Sequence, residues 1–315
     1  MTEAFRILFP GPYTTIQDRG RFHYQDRGVP VSGSLDTFAS VVANWLVGNS
    51  SDCAVLEMTY RGVHLEITCE AYLAIAGADM GAKLNGHPFP AWTSVYVKPG
   101  DTIRMGVAKS GCRSYLAITG GIDVPLVMGS RSTYVGGKLG GLEGRTLRMN
   151  DLLHRGQGSL LSSPRSFPWP PEYAREIPLR ALPGPQLQYF QGIRDMFFSA
   201  NFTVTSQADR MGYRLAGPEI ARDPGAPKSI ISEPITPGNI QILPSGQAVI
   251  LLVEQTLGGY TKIATVLSSD IMKVAQAKPG DIIRFVPVTL TEAHKAYREW
   301  IQYMARTKSF LDGLH

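Results

Sequence analysis

The sequence predicts a mainly β protein of two tandem β-barrel or sandwich domains with a few short helices, and three observations carry that expectation. First, 33 Gly and 22 Pro among 315 residues imply many short turns, as in chains whose elements are brief and reverse often. Second, short apolar runs follow one another between turn residues at 63–67, 72–76, 95–97, 102–105 and 115–119 without a helix between them, which suits an antiparallel sheet closing on itself. Third, the chain reads as duplicated. Val97-Lys-Pro-Gly-Asp-Thr-Ile-Arg104 returns as Ala277-Lys-Pro-Gly-Asp-Ile-Ile-Arg284, and Arg6-Ile-Leu-Phe-Pro-Gly-Pro12 is echoed by Arg180-Ala-Leu-Pro-Gly-Pro185. Asp26-Arg27 is answered by Asp209-Arg210, and the Glu57 to Gly62 spacing by Glu233 to Gly238, in the same order and at nearly constant offsets. One Pro-Gly-Asp match is ordinary turn chemistry, but ordered recurrence argues for two homologous halves.

Residues 5–9 form an apolar run closed by Pro10-Gly11-Pro12, a short buried strand. The stretch 13–36 is polar and glycine-dotted, and a loop of that length needs a reason. Asp36 opens a helix in which Phe38, Val41, Val42, Trp45 and Leu46 recur at helical spacing, with Gly48-Asn49 as the stop. Gly129, Gly136, Gly137, Gly140, Gly141 and Gly144 crowd a segment that no regular element tolerates, so it reads as a loop wrapped around something. Between 156 and 178 lie Pro164, Pro168, Pro170, Pro171 and Pro178, a composition that extends and does not pack. The expected domains are therefore 1–155, a Pro-rich linker at 156–178, and 179–315. The second half offers a helix over 186–199 with Leu187, Phe190 and Phe197 on one side, then strands from 239 to 285. A closing helix starts at the capping box Thr289-x-x-Glu292 and carries Ala293, Tyr297, Trp300, Ile301 and Met304 as an apolar stripe. Mixed charges beside the stripe predict docking on its own domain, not on a membrane.

Composition narrows the function classes. The 31 basic and 26 acidic residues are scattered, with no basic run and no basic stripe interleaved with aromatics, so nucleic acid is not the expected partner. Cys53, Cys69 and Cys112 lack CxxC spacing and are odd in number, which indicates neither a disulfide framework nor zinc. The six histidines show no metal spacing, so no metal is expected on this chain. The N-terminus lacks a signal-peptide pattern and no run of eighteen apolar residues occurs, predicting a soluble cytoplasmic protein without membrane contact.

Three constellations carry possible chemistry. Gln17-Asp18-Arg19-Gly20-Arg21, with Asp26-Arg27, places amide, carboxylate and guanidinium groups in one loop. Such a set grips an anion through bidentate arginine while Asp18 orients or accepts a proton, or it satisfies itself as a salt-bridge cluster. Ser130-Arg131-Ser132-Thr133 beside the glycine run fits an anion nest or a structural loop. Lys138 is followed by Leu139 and not by Ser or Thr, so this is no P-loop. Gln255-Thr-Leu-Gly-Gly-Tyr260 permits close approach of a ligand to backbone, or is a plain hairpin turn. Ile271-Met-Lys-Val274 contains a Met-Lys pair within an apolar run, a poor setting for biotin attachment.

Across nearly the whole chain these motifs resemble the KipA/PxpC group, the biotin-dependent carboxyltransferase family also called allophanate hydrolase subunit two. The resemblance is carried by Thr14-Thr-Ile-Gln-Asp18 with Gly20-Arg21, Gly28-Val-Pro-Val-Ser-Gly33 with Asp36, and Ala43-Asn44 with Leu46-Val-Gly-Asn49. Leu56-Glu57, Tyr115-Leu-Ala-Ile-Thr-Gly-Gly-Ile-Asp123, Gly140-Gly-Leu-Glu-Gly-Arg145, Asp209-Arg-Met-Gly-Tyr-Arg-Leu215 and Gly258-Gly-Tyr260 complete it. It implies two cyclophilin-like β-barrels and similarity to the C-type subunit of an ATP-dependent 5-oxoprolinase, which works with a KipI-like B-type subunit and a LamB/YcsF-like A-type subunit. ATP with Mg is implied for the complex, and the stand-alone length, without a fused biotin carrier, favours the oxoprolinase type.

The resemblance also implies roles. Arg21, Arg131 and Arg210 bind phosphate or carboxylate, Gln17, Gln255 and Thr256 hold a small anionic lactam, and Asp18 or Tyr260 handles a proton. Ser130, Tyr213, Gly258 and Gly259 complete the expected substrate site. Where the family shows Asp, a spacer and Gln-Thr-Thr-Gly-Gly-Tyr-Pro, this chain joins Glu254 directly to Gln255 and has Leu257 and Thr261. That departure keeps open another lactam, a urea-like amide or a carboxylated substrate. A KipA-type regulator that antagonises a KipI-type kinase inhibitor is the contrasting class. A prolyl isomerase reading would rest on fold analogy alone.

Overall fold

The computed structural model describes residues 2–314, and the fold is mainly β with four α-helices among them. The chain divides into two units. One takes the chain up to Phe22, Ser32–Tyr173 and the residues from Met304 onward; the other takes His23–Val31 and Ala174–Tyr303.

The first unit contains β1 (Thr2–Phe9), β2 (Tyr13–Gln17), β3 (Val55–Thr59), β4 (His64–Ile67), β5 (Ala71–Gly77) and β6 (Lys83–Leu84). It continues with β7 (His87–Pro88), β8 (Thr93–Val97), β9 (Thr102–Arg104), β10 (Arg113–Ile118), β11 (Ile122–Asp123) and β12 (Leu152–Arg155). One sheet has the order β11-β12-β1-β4-β9-β6-β7 and the other β2-β3-β10-β5-β8. Phe5, Ile7, Ile16, Leu56, Leu73, Ile103 and Leu116 share one core cluster. Helix α1 (Thr37–Leu46) packs on β5 and β10; both strands are buried along their whole length, so both their faces are covered. The Asp36 carboxylate caps α1 by accepting the Ala39 N–H at 2.9 Å, and Gly48, with φ +76°, ends it as the sequence predicts.

In the second unit, β13 (Glu176–Pro183), β14 (Phe202–Ala208), β15 (Gly212–Ala216), β17 (Asn239–Ile242), β18 (Ala248–Leu251), β20 (Lys262–Val266) and β21 (Ile282–Pro287) form a closed barrel in the order β13-β20-β17-β18-β15-β14-β21. The parallel pairing of β13 with β21 completes the ring. The short β16 (Glu233–Pro234) and β19 (Leu257–Gly258) pair with each other outside it. Phe197 stacks on Phe285 at 5.0 Å inside an aromatic group with Phe202. Along β15, Tyr213 and Leu215 are buried while Arg214 and Ala216 are exposed, the period-two signature of a strand with one wet face.

The repeated Lys-Pro-Gly-Asp turn recurs bond for bond. Asp101 accepts the Lys98 N–H at 2.8 Å and Asp281 accepts the Lys278 N–H at 3.0 Å. Gly100 and Gly280 both have φ +90° and donate to Ile67 and Val204, whose own N–H groups return to Asp101 and Asp281. The Asp26-Arg27 match does not repeat in this way: it lies on an exposed single 3-10 turn, whereas Asp209 caps a strand turn through the Met211 and Gly212 N–H groups. Asp18 does the same at the end of β2, accepting the Gly20 N–H at 2.8 Å, so Asp18-Arg19 is the geometric counterpart of Asp209-Arg210.

Three expectations change. The helix expected over 186–199 is a 3-10 stretch, Leu187–Ile193, followed by α2 (Arg194–Ser199), with the break at Phe190. There the N–H groups of Gln191 and Gly192 donate to the Asp223 carboxylate and not to helix carbonyls. The Pro-rich segment packs where it was expected only to extend: Phe167 is buried beside Phe38 and Trp92, and Arg165 is bonded to Ser94. The passage between units falls inside this segment, after Tyr173, and β13 already begins at Glu176. After α3 (Ile271–Gln276), the last helix α4 (Leu290–Asp312) has the predicted capping box, Thr289 N–H to Glu292 at 2.7 Å and Glu292 N–H to Thr289 at 3.3 Å. Its buried positions run through Ala293, Ala296, Thr307 and Leu311, leaving Tyr297 and Ile301 about half exposed. Among the described residues no helix is long and apolar enough to cross a membrane.

Candidate functional site

The first polar cluster forms where β2 meets the glycine-rich loop. Asp18 accepts four donors: the Gly20 N–H at 2.8 Å, the Ser130 hydroxyl at 2.6 Å, the Arg131 N–H at 2.5 Å and the Ser132 hydroxyl at 2.5 Å. Arg21 approaches the same loop from the other side. Its Nε donates to Val127 O at 3.0 Å and its Nη2 to Ser132 O at 2.9 Å, and the residue is wholly buried. Burial lowers the Arg21 pKa, which the Asp18 charge partly opposes. Gln17 donates to Thr15 and to Thr133 O. What the glycine loop wraps is Arg21. Gly140 has φ +64°, and a Cβ there would strike Ser132 O and lie 2.6 Å from Arg21 Nη2, so only glycine fits. Arg131 keeps a partly exposed guanidinium, paired with Asp123 at 3.0 Å.

A buried network holds the neighbouring segment. Glu57 accepts the Leu35 N–H and the Tyr115 hydroxyl, each at 2.9 Å, and Tyr115 accepts the Asp36 N–H at 2.8 Å. Burial first, then the charges of Glu57 and Asp36, pushes the Tyr115 phenol well up, so it remains a donor. Ser34 N–H donates to Asp18 O at 2.9 Å, tying this network to the cluster.

The second unit holds an open cavity of about 550 Å³. Its lining includes Gln207, Asp209 and Arg214 from the β14–β15 hairpin, Gln241 from β17, and Gln255, Gly258, Gly259 and Tyr260 from the loop after β18. That loop is positioned by β19 pairing with β16 and by Ile230 N–H to Gly259 O at 2.8 Å. A Cβ at Gly258 would meet the Gln241 amide, so the glycine lets the loop lie close against that side chain. Arg214 has no carboxylate within 4 Å among the described residues and points outward. The cavity therefore combines amides, approachable backbone, apolar walls from Met211, Leu243, Val249, Leu251 and Leu257, the Asp209 carboxylate and one cation, Arg214, that has no carboxylate within 4 Å, suited to a compact ligand with a carboxylate.

The expected site residues thus separate into groups. Gln17, Asp18, Arg21, Ser130 and Arg131 come together in the first unit; Gln255, Gly258, Gly259 and Tyr260 come together in the second. Arg210, Tyr213 and Thr256 do not line the cavity. Arg210 is buried against Glu254 at 2.5 Å, because the direct Glu254-Gln255 junction places that carboxylate beside it. Tyr213 faces the barrel interior and donates to Ala277 O at 3.3 Å, while the Thr256 carbonyl accepts the Ile235 N–H. Arg214, Gln207 and Gln241 were not anticipated from the sequence. Strand alternation was the available signal: if Tyr213 points inward, Arg214 points out. Lys273 lies in α3 and pairs with Asp270 at 3.2 Å. Among the described residues no three His, Cys, Asp or Glu side chains gather as a metal site.

Comparison with known proteins gives consistent findings. A family model described as carboxyltransferase domain, subdomain A and B, matches residues 27–287. The chain is 36% identical to the C-type subunit of the 5-oxoprolinase of Escherichia coli K12, over 95% of this chain and 96% of that protein. It is 34% identical to urea amidolyase of Lachancea kluyveri over 93% of this chain but 17% of that protein. The crystal structure of the K. lactis urea amidolyase superposes with a TM-score of 0.91 at 31% identity, covering 98% of this chain and 20% of that one.

Proposed function

The chain belongs to the carboxyltransferase family of subdomains A and B, and from that membership we propose that it is a subunit of an ATP-dependent 5-oxoprolinase. In this reading it opens 5-oxo-L-proline to L-glutamate together with a KipI-like B-type subunit and a LamB/YcsF-like A-type subunit, and is inactive without them. The observation that carries the reading is the 36% identity that runs through almost all of both this chain and the C-type subunit of the bacterial 5-oxoprolinase.

The chemistry asks for what the second-unit cavity offers. A five-membered lactam is resonance-stabilised, so transfer of the ATP γ-phosphoryl group to its amide oxygen, releasing ADP, makes the ring carbon electrophilic. Water then adds at that carbon, the C–N bond breaks with the nitrogen taking a proton, and a second water releases phosphate. Arg214 holds the ring carboxylate, Gln255 and Gln241 face the lactam N–H and C=O, and the Gly258-Gly259 backbone lets the ring approach closely. Tyr260 delivers the proton to the departing nitrogen. ATP and Mg enter as co-substrates of the complex.

A second reading has a specific observation in its favour. The similarity to urea amidolyase, 34% over 93% of this chain, supports transfer or hydrolysis at a urea-like amide in the same cavity. The test is glutamate and ADP release from 5-oxoproline by this chain mixed with its two partner subunits, omitting each in turn, with urea as the parallel substrate. Turnover of 5-oxoproline that requires this chain supports the proposal; turnover of urea alone transfers the site to the second reading. A stable complex with no turnover of either favours a KipA-type regulator.

A further inference from the structure

The first unit has a second polar cavity, of about 420 Å³, at one end of its larger sheet. Register places its walls: Arg155 on β12 stands opposite Thr2 on β1 and Ile122 on β11, so Thr2, Asp123 and Arg155 collect at neighbouring strand ends. The chain then turns through Gly156-Gln157-Gly158. A Cβ at Gly156 would lie 2.6 Å from Gly120 O and one at Gly158 2.7 Å from Gly120 N, so this wall is backbone pressed on backbone. Every lining residue is polar or glycine, a surface on which an apolar ligand gains nothing.

The charges decide the class of ligand. Arg155 meets only carbonyls, at 3.3 to 3.4 Å, and no carboxylate lies within 4 Å of it among the described residues. Its Nε is buried without a partner. Arg145, also in this unit, is by contrast engaged by both oxygens of Asp151 at 2.8 and 2.9 Å. The one acid at the cavity, Asp123, is already paired with Arg131. The cavity therefore carries one guanidinium, Arg155, with no carboxylate within 4 Å, and one carboxylate, Asp123, that is already drawn to Arg131.

We propose that this cavity binds a small oxyanion, a phosphate or carboxylate group, through Arg155, and that the Arg131–Asp123 pair tunes its affinity. A planar guanidinium that meets only long carbonyl bonds gains most from an anionic oxygen placed between its N–H groups. Asp123 opposes the anion and occupies Arg131, so neutralising it strengthens binding.

The test uses the isolated chain, so it is separate from turnover of any lactam. Calorimetric titration with inorganic phosphate, and separately with acetate, is run on the wild type, Arg155→Gln and Asp123→Asn. The expected result is binding of at least one anion that weakens about tenfold or more in Arg155→Gln, tightens in Asp123→Asn and declines as NaCl is raised. Phosphate without acetate identifies the phosphoryl group, and acetate without phosphate the carboxylate. Equal affinity in the wild type and Arg155→Gln, or no heat with either anion, overturns the proposal. If Arg155→Gln does not fold, Arg155→Lys and Gln157→Ala serve, with weakened binding expected in both and unchanged binding in both overturning it.

Discussion

The two units use the same kinds of side chain to opposite ends. Around Arg21 the first unit folds a glycine loop so tightly that the guanidinium is wholly buried and Asp18 is saturated by four donors. In the second unit Arg210 is likewise buried, against Glu254, but a few residues on along the same hairpin Arg214 stays outside, ion-paired with no described carboxylate, and faces a cavity. The difference teaches that an arginine beside a glycine-rich turn is not a ligand by virtue of its motif. What matters is whether its guanidinium is shut inside the fold, as in Arg21 and Arg210, or opens onto space a ligand can enter, as in Arg214.

That contrast can be broken by mutation. The largest effect is expected from Glu254→Gln, which takes the carboxylate away from the buried Arg210–Glu254 pair and costs about 3 to 5 kcal/mol in urea unfolding. Asp18→Ala removes the acceptor of two hydroxyls and two N–H groups and costs about 3 kcal/mol; a near-neutral result would mean that the loop is held by Arg21 alone. Acid sharpens the comparison in both units. Asp151 is held below the ordinary carboxylate range, burial being outweighed by its bonds to Arg145 and Arg148. Asp270 is similarly depressed, burial again being outweighed, here by Arg180 with help from Lys273. A carboxyl depressed by folding contributes stability that is complete above its unfolded pKa of about 4 and is lost as pH falls through the lower folded value. The thermal midpoint should therefore fall in that acid window, and Asp270→Asn should be less stable at neutral pH with a flatter acid limb. The smallest effect tests the duplication. Gly100→Ala and Gly280→Ala, both at φ +90° with open space at Cβ, should each cost about 1 to 2 kcal/mol and match each other closely.

Much of the fold was legible in the sequence because period-two runs, the α1 cap and stop, and the Thr289–Glu292 capping box are local signals. The repeated Lys-Pro-Gly-Asp turn was legible for the same reason. The break at Phe190 was not, since Asp223 reaches it from some thirty residues on. Nor was the burial of Phe167, which depends on Phe38 and Trp92 arriving from elsewhere in the chain. At the candidate site, Gln255, Gly258, Gly259 and Tyr260 were identifiable as a glycine-opened loop that the structure places on a cavity. Arg210 and Tyr213 misled because a motif names residues without saying which way they face, and alternation along β15 sends Tyr213 inward and Arg214 outward. The four-donor cage of Asp18 needs Ser130 and Ser132, more than a hundred residues away, and no spacing rule reaches that far.

The most direct test of the second-unit cavity as the lactam site is steady-state turnover of 5-oxoproline by the reconstituted complex, with Arg214→Gln set against Tyr213→Phe. Arg214→Gln should raise KM about tenfold or more by removing the charge that meets the ring carboxylate, while Tyr213→Phe, altered inside the barrel, leaves KM unchanged. An unchanged KM in Arg214→Gln would contradict the placement of the substrate in this cavity.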